Sequence, residues 1–162
     1  MKIALIHDWL RVNAGSEKVI KEILTVFEKD EVTLYTLFNK LPVTDRKELI
    51  GKTPVQVTIL QYFPRIDLIY QYLLPVLPFF IRFLRPQKAA FYISSSHAVA
   101  KGFRSKKGIM HICYCHTPMR YIWFLHQDYL NDIGFAKKMI LRFVIPFIRK
   151  WDVKMSQKVS FS

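Results

Sequence analysis

Three short apolar runs in this chain stop abruptly at small polar residues and a histidine, and no other feature constrains the fold as tightly. Residues 2–6 run into His7-Asp8, residues 91–93 into Ser94-Ser95-Ser96-His97, and residues 109–115 into His116-Thr117-Pro118. Strands buried on both faces read as near-continuous apolar runs, the mark of a parallel sheet. In an open parallel sheet, ligands bind outside the carboxyl ends of the strands, where the loops begin. Three such strands ending in histidine-bearing loops therefore predict a ligand cleft along one sheet edge.

The rest of the chain supports an α/β reading. Residues 16–28 carry Val19, Ile20, Ile23, Leu24 and Phe27 on one helical face, with Gly15 or Ser16 as the expected N-cap. Strands are expected over 32–37 and 55–60, with a short helix over 45–50 ended by Gly51. Residues 134–157 form a second long helical pattern. Its stripe runs Phe135, Met139, Ile140, Phe143, Val144, Phe147, Ile148 and Trp151, with a kink or a new start expected at Pro146. Strands and helices alternating in this way predict a Rossmann-like, doubly wound, mainly parallel sheet in one domain of 162 residues.

Charge sets the partners. Lys and Arg number 25 against 12 Asp and Glu, a net +13, and this excess calls for a polyanionic partner or surface. Nucleic acid is disfavoured, because no reader motif accompanies the charge. The anionic face of a membrane suits the chain better, given residues 62–85. That stretch is the most apolar and is rich in aromatics, but Asp67 and Arg82 bracket it and Pro75 and Pro78 interrupt it. A spanning helix is disfavoured. The alternatives are a kinked helix pair packed on the sheet and an interfacial element with Arg65, Arg82 and Arg85 at its ends. Met1-Lys2 leads into a short apolar run without a small-residue cleavage site, so a cytoplasmic protein, peripheral on the inner face of the membrane, is expected. Cys113 and Cys115 are two apart in a strand, poorly placed to pair, and are read as reduced, partly buried thiols.

Candidate chemistry gathers at the loops. Gly15 and Ser16 open a helix, where free N–H groups and the dipole favour a phosphate, although neither a dinucleotide nor a Walker fingerprint is present. His116 is the leading ionisable group. It is placed either to hydrogen-bond a sugar hydroxyl and act on its proton or to cap the structure through the backbone. His97 joins it from a neighbouring strand end, and Arg120 and Tyr121 follow it closely. His111, Cys113, Cys115 and His116 fit no common zinc spacing, and the serine run lacks a nucleophile elbow.

The blocks KIALIHDW, GSEK, ISSSHAVAKG and MHICYCHTPMRY, continued through Trp151-Asp152-Val153, resemble the family 4 glycosyltransferases, most closely the mannosyltransferase-like enzymes of polysaccharide and O-antigen assembly. The resemblance implies two Rossmann-like domains facing across a cleft, with retention of anomeric configuration, no metal, and a nucleotide sugar as donor. It covers nearly the whole chain but only the family's N-terminal, acceptor-side domain. Residues 1–162 are thus expected to be a truncated half that lacks the donor domain and is inactive alone. It further implies a catalytic His116 and substrate-binding Gly15, Ser16, His97, Lys101, Arg120 and Tyr121. The expected partners are a lipid-linked or glycan acceptor and a separate donor-domain chain. The family often has two glycines in the first loop, and here Ala14 replaces the first. The alternative is a non-catalytic remnant or membrane-binding module.

Overall fold

The computed structural model describes residues 1–86, 89–117, 120–123 and 135–159. Five parallel strands form one sheet: β1 (Lys2–His7), β2 (Glu31–Thr36), β3 (Val55–Val57), β4 (Phe91–Ser96) and β5 (Met110–Cys115), in the order β3-β2-β1-β4-β5. The order reverses between β1 and β4, so their carboxyl ends flank the crevice of a Rossmann-like α/β fold.

Each face of the sheet has its own core. On one, Ile3, Leu5, Val32, Leu34 and Ile93 pack against Ile20 of α1 (Gly15–Val26) and Leu49 of α2 (Val43–Leu49). On the other, Ala4, Ile6, Tyr35 and Tyr92 meet residues 60–84 and the long C-terminal helix. The alternation of strand side chains produces this division, and it makes the sheet doubly wound.

Several boundaries differ from expectation. α1 is capped by Ala14, which makes no side-chain cap bond, so neither Gly15 nor Ser16 is the N-cap. β3 stops at Val57 because Thr58 diverts the chain. Its hydroxyl donates to the Leu37 carbonyl (2.7 Å) and accepts the Leu60 amide (3.3 Å), starting a 3-10 turn at Ile59–Tyr62. Gly51 ends α2 as expected, at φ 53°. Cys113 is buried, but Cys115, the last residue of β5, is exposed.

Residues 66–83 form two short helical pieces, Ile66–Leu73 and Leu77–Phe83, bent by 102°. Among the described residues no single helix is long and apolar enough to cross a membrane. The first piece begins with α3 (Ile66–Ile69) and the second with α4 (Leu77–Phe80), where Pro78 occupies the first turn, a position proline tolerates. After β5 come α5 (Arg120–Trp123) and α6 (Phe135–Ser156), and α6 runs through Pro146 as one helix. Its buried face carries Ile145, Ile148 and Asp152, at true helical spacing. Phe147, expected on the stripe, falls one position off that face and is exposed. Gly134 lies outside the described residues, as do the side chains of Phe135, Met139, Ile140 and Phe143.

Candidate functional site

The crevice at the switch point is organised by Asp8, which follows β1 and has no exposed surface. Its Oδ2 accepts the backbone amides of His97 (2.7 Å) and Ala98 (2.9 Å), and its Oδ1 those of Val99 (2.5 Å) and Ala100 (2.6 Å). One carboxylate thus ties the end of β1 to the loop after β4. Burial opposes ionisation here. The His97 and His7 rings and the donated amides outweigh it, so the carboxyl is held below the usual carboxylate range.

Around Asp8 stand three histidines, one from each strand end. His97 places Nδ1 3.2 Å from Asp8 Oδ2 and meets the Trp9 ring edge-on at 4.7 Å. The contact sets the ring beside the carboxylate without hydrogen-bond geometry at Nδ1. His7 is fully buried and donates from Nδ1 to the Ser95 carbonyl at 3.0 Å; its Nε2 is buried with no partner among the described residues. Burial, aided by His97, pushes its pKa down to about 4, so His7 is neutral near pH 7.

His116 continues the β4–β5 ladder by donating its amide to the Ser96 carbonyl at 3.0 Å. Its Nε2 is 2.7 Å from the Ser95 hydroxyl, and its ring packs at 4.9 Å on Tyr114 and 6.3 Å from His97. Partial burial and His97 lower its pKa, against the pull of Asp8. Ser95 thus touches two histidines, one through its carbonyl and one through its hydroxyl.

The other expected site residues divide. Gly15 begins α1 at the same carboxyl edge, because the β1–α1 loop opens there, and a Cβ added to it would meet nothing within 4 Å. Ser16 turns its hydroxyl to Glu17 Oε2 at 2.7 Å, and Glu17 is buried. Lys101 is not brought to the cleft surface. It is buried, with Nζ 2.8 Å from Asp152 Oδ1 of α6, while Trp123 Nε1 donates to Asp152 Oδ2 at 3.1 Å. The side chains of Arg120 and Tyr121 lie outside the described residues. His111 is a core residue, 2.8 Å from the Ser94 hydroxyl, with burial lowering its pKa to about 4. Arg65, Arg82 and Arg85 are exposed on the segment that covers the other face of the sheet. Among the described residues no group of three or more His, Cys, Asp or Glu is arranged to hold a metal ion.

Asp8, Trp9 and Ser95 were not singled out from the sequence as site residues, although Asp8 holds the site together. No family model, curated protein or solved structure matches the chain.

Proposed function

We propose that this domain is the acceptor-binding half of a nucleotide-sugar-dependent, mannosyl-type retaining glycosyltransferase acting on a lipid-linked or glycan acceptor. The observation that carries the reading is the meeting of His97 and His116, 6.3 Å apart, at the switch point of a Rossmann-like sheet. Polyhydroxylated acceptors need several neutral donors and acceptors around one rigid wall. The His97 and His116 imidazoles, the aromatic ring of Tyr114 and the start of α1 provide that chemistry. The lowered pKa keeps His116 unprotonated near neutral pH, able to orient an acceptor hydroxyl and take up its hydrogen. Its Nε2 is engaged by Ser95, so the acceptor would meet the Nδ1 edge.

Calorimetric titration tests this with a mannose-terminated trisaccharide, a polyprenyl diphosphate-linked N-acetylglucosamine in micelles, and GDP-mannose. One of the two acceptors should bind, and GDP-mannose alone should not. His116→Ala should weaken acceptor binding about tenfold, the loss of roughly one well-made hydrogen bond. Tight binding of GDP-mannose without either acceptor would overturn the assignment of this half.

A further inference from the structure

Residues 59–85 carry two separate apolar sets, and the fold uses one of them. Leu60, Ile66, Tyr70, Leu77, Ile81 and Leu84 are buried in the core against the sheet. Tyr62 (82% exposed), Phe63, Leu68, Phe79 (61%) and Phe83 (54%) face outward from the same segment. Packing on the sheet, which also engages Ile69, Leu73, Leu74 and Phe80, therefore explains part of this segment's apolar character and leaves an aromatic outer surface exposed. Exposed apolar surface on this scale marks an interaction site.

Three observations define the occupant. The first is charge: Arg65, Arg82 and Arg85 are exposed on the segment, and Asp67 is its sole acidic residue, in a chain of net charge +13. The second is the chemistry of the exposed set, dominated by Tyr and Phe, with Phe79 and Phe83 stacked edge-to-face at 4.8 Å between the arginines. Amphipathic aromatic rings favour the headgroup level of a bilayer. The third is geometry. Each helical piece is seven or eight residues long and the two meet at 102°, so each reaches roughly 10–16 Å, well short of a hydrocarbon core of about 30 Å. Neither piece alone spans that core, and a short bent segment of this kind suits an interface.

We infer that the outer surface of residues 59–85 is a docking face for an anionic lipid bilayer, with the aromatic rings entering the headgroup layer and the arginines pairing with lipid phosphates. The inference does not rest on sugar transfer, because binding is measured without any acceptor or donor. Its failure would leave the histidine cleft untouched.

The test is flotation of the purified chain with vesicles of phosphatidylcholine alone or mixed with phosphatidylglycerol. Binding is expected to the anionic vesicles, and salt near 1 M, where the Debye length is about 3 Å, should release most of it. Arg82→Gln with Arg85→Gln should weaken binding about 25-fold, from about fivefold per surface charge. Phe79→Ser with Phe83→Ser should weaken it by at least about tenfold while leaving the melting temperature unchanged, since both rings are exposed. Lys18→Gln with Lys29→Gln, exposed charges on the α1 side of the sheet, should change it little. Equal loss from the lysine pair and the arginine pair would overturn the inference in favour of diffuse charge attraction. So would binding to neither vesicle type, or equal binding to both. Lipid-free self-association abolished by the phenylalanine pair would also overturn it, assigning the face to a second copy of the chain.

Discussion

His97 contacts Asp8 twice, donating its backbone amide to Oδ2 at 2.7 Å and holding its ring Nδ1 3.2 Å from the same oxygen. The residue that presents an imidazole to the crevice is therefore held by the carboxylate that closes the loop behind it. The fold and the site share one anchor at this point.

Asp8→Ala should destabilise the protein by about 3–5 kcal/mol in urea unfolding, because four amides, three of them buried, lose their acceptor. Asp8→Asn keeps one acceptor oxygen and should fall in between. A loss under 1 kcal/mol for the alanine variant, within about the effect of one ordinary hydrogen bond, would show that the amides find other partners.

Acid should weaken the fold in two stages. His7 and His111 have folded-state pKa values near 4, below the 6.5 of the unfolded chain, so the unfolded state binds protons first as pH falls. Stability from these neutral histidines is complete above pH 6.5, is lost between 6.5 and about 4, and changes little below that. Asp8, with its pKa lowered, acts below this window: its contribution is present above the unfolded carboxylate pKa and disappears as pH falls through the folded one. Replacing His111 with Gln should shrink the drop in unfolding free energy between pH 7 and pH 4 by up to about 3 kcal/mol. Unchanged pH dependence would mean that His111 titrates normally.

Two glycines should respond in opposite ways to alanine. At Gly102 a Cβ would lie 2.1 Å from Trp151 Cζ2 of α6, so Gly102→Ala should cost about 1–3 kcal/mol through overpacking. Trp151→Leu in the same chain should recover part of that cost. At Gly15 the Cβ meets nothing, so Gly15→Ala should be neutral or stabilise by up to about 1 kcal/mol while hindering a ligand at the helix start. Thermal unfolding of the three variants decides both claims.

The parts of this fold legible from sequence are the local ones. Residues 2–6 and 91–94 announce strands because they are buried on both faces, residues 109–115 because they are apolar and β-branched although one face of that edge strand is exposed, and the histidines after them fall where strand ends must lie. What could not be read depends on partners far along the chain. The donors to Asp8 come from about 90 residues away, and nothing local to His7-Asp8 signals them. Lys101 is expected from the sequence among the substrate-binding residues, and nothing local to it signals that Asp152 of α6 closes on it from inside. β3 looks longer than it is because Thr58 binds the Leu37 carbonyl of a neighbouring connection.

Lys101→Met should destabilise by about 3–5 kcal/mol, because it leaves Asp152 charged and buried without its cation. Lys101→Met with Asp152→Leu should restore most of the loss, since an apolar pair of similar volume removes the desolvation cost. Acceptor binding should survive in the double variant. Its loss there would return Lys101 to the ligand-binding set.

In the proposed function, His97 and His116 form the wall of an acceptor-sugar site at the β1–β4 switch. Histidine-selective NMR during titration with the polyprenyl-linked and mannose-terminated acceptors tests it most directly. The imidazole signals of His97 and His116 and the amide of Gly15 should shift together along one binding curve, while His111, buried beneath Phe103, stays in place. Shifts confined to other residues, or none with either acceptor at saturating concentration, would contradict it.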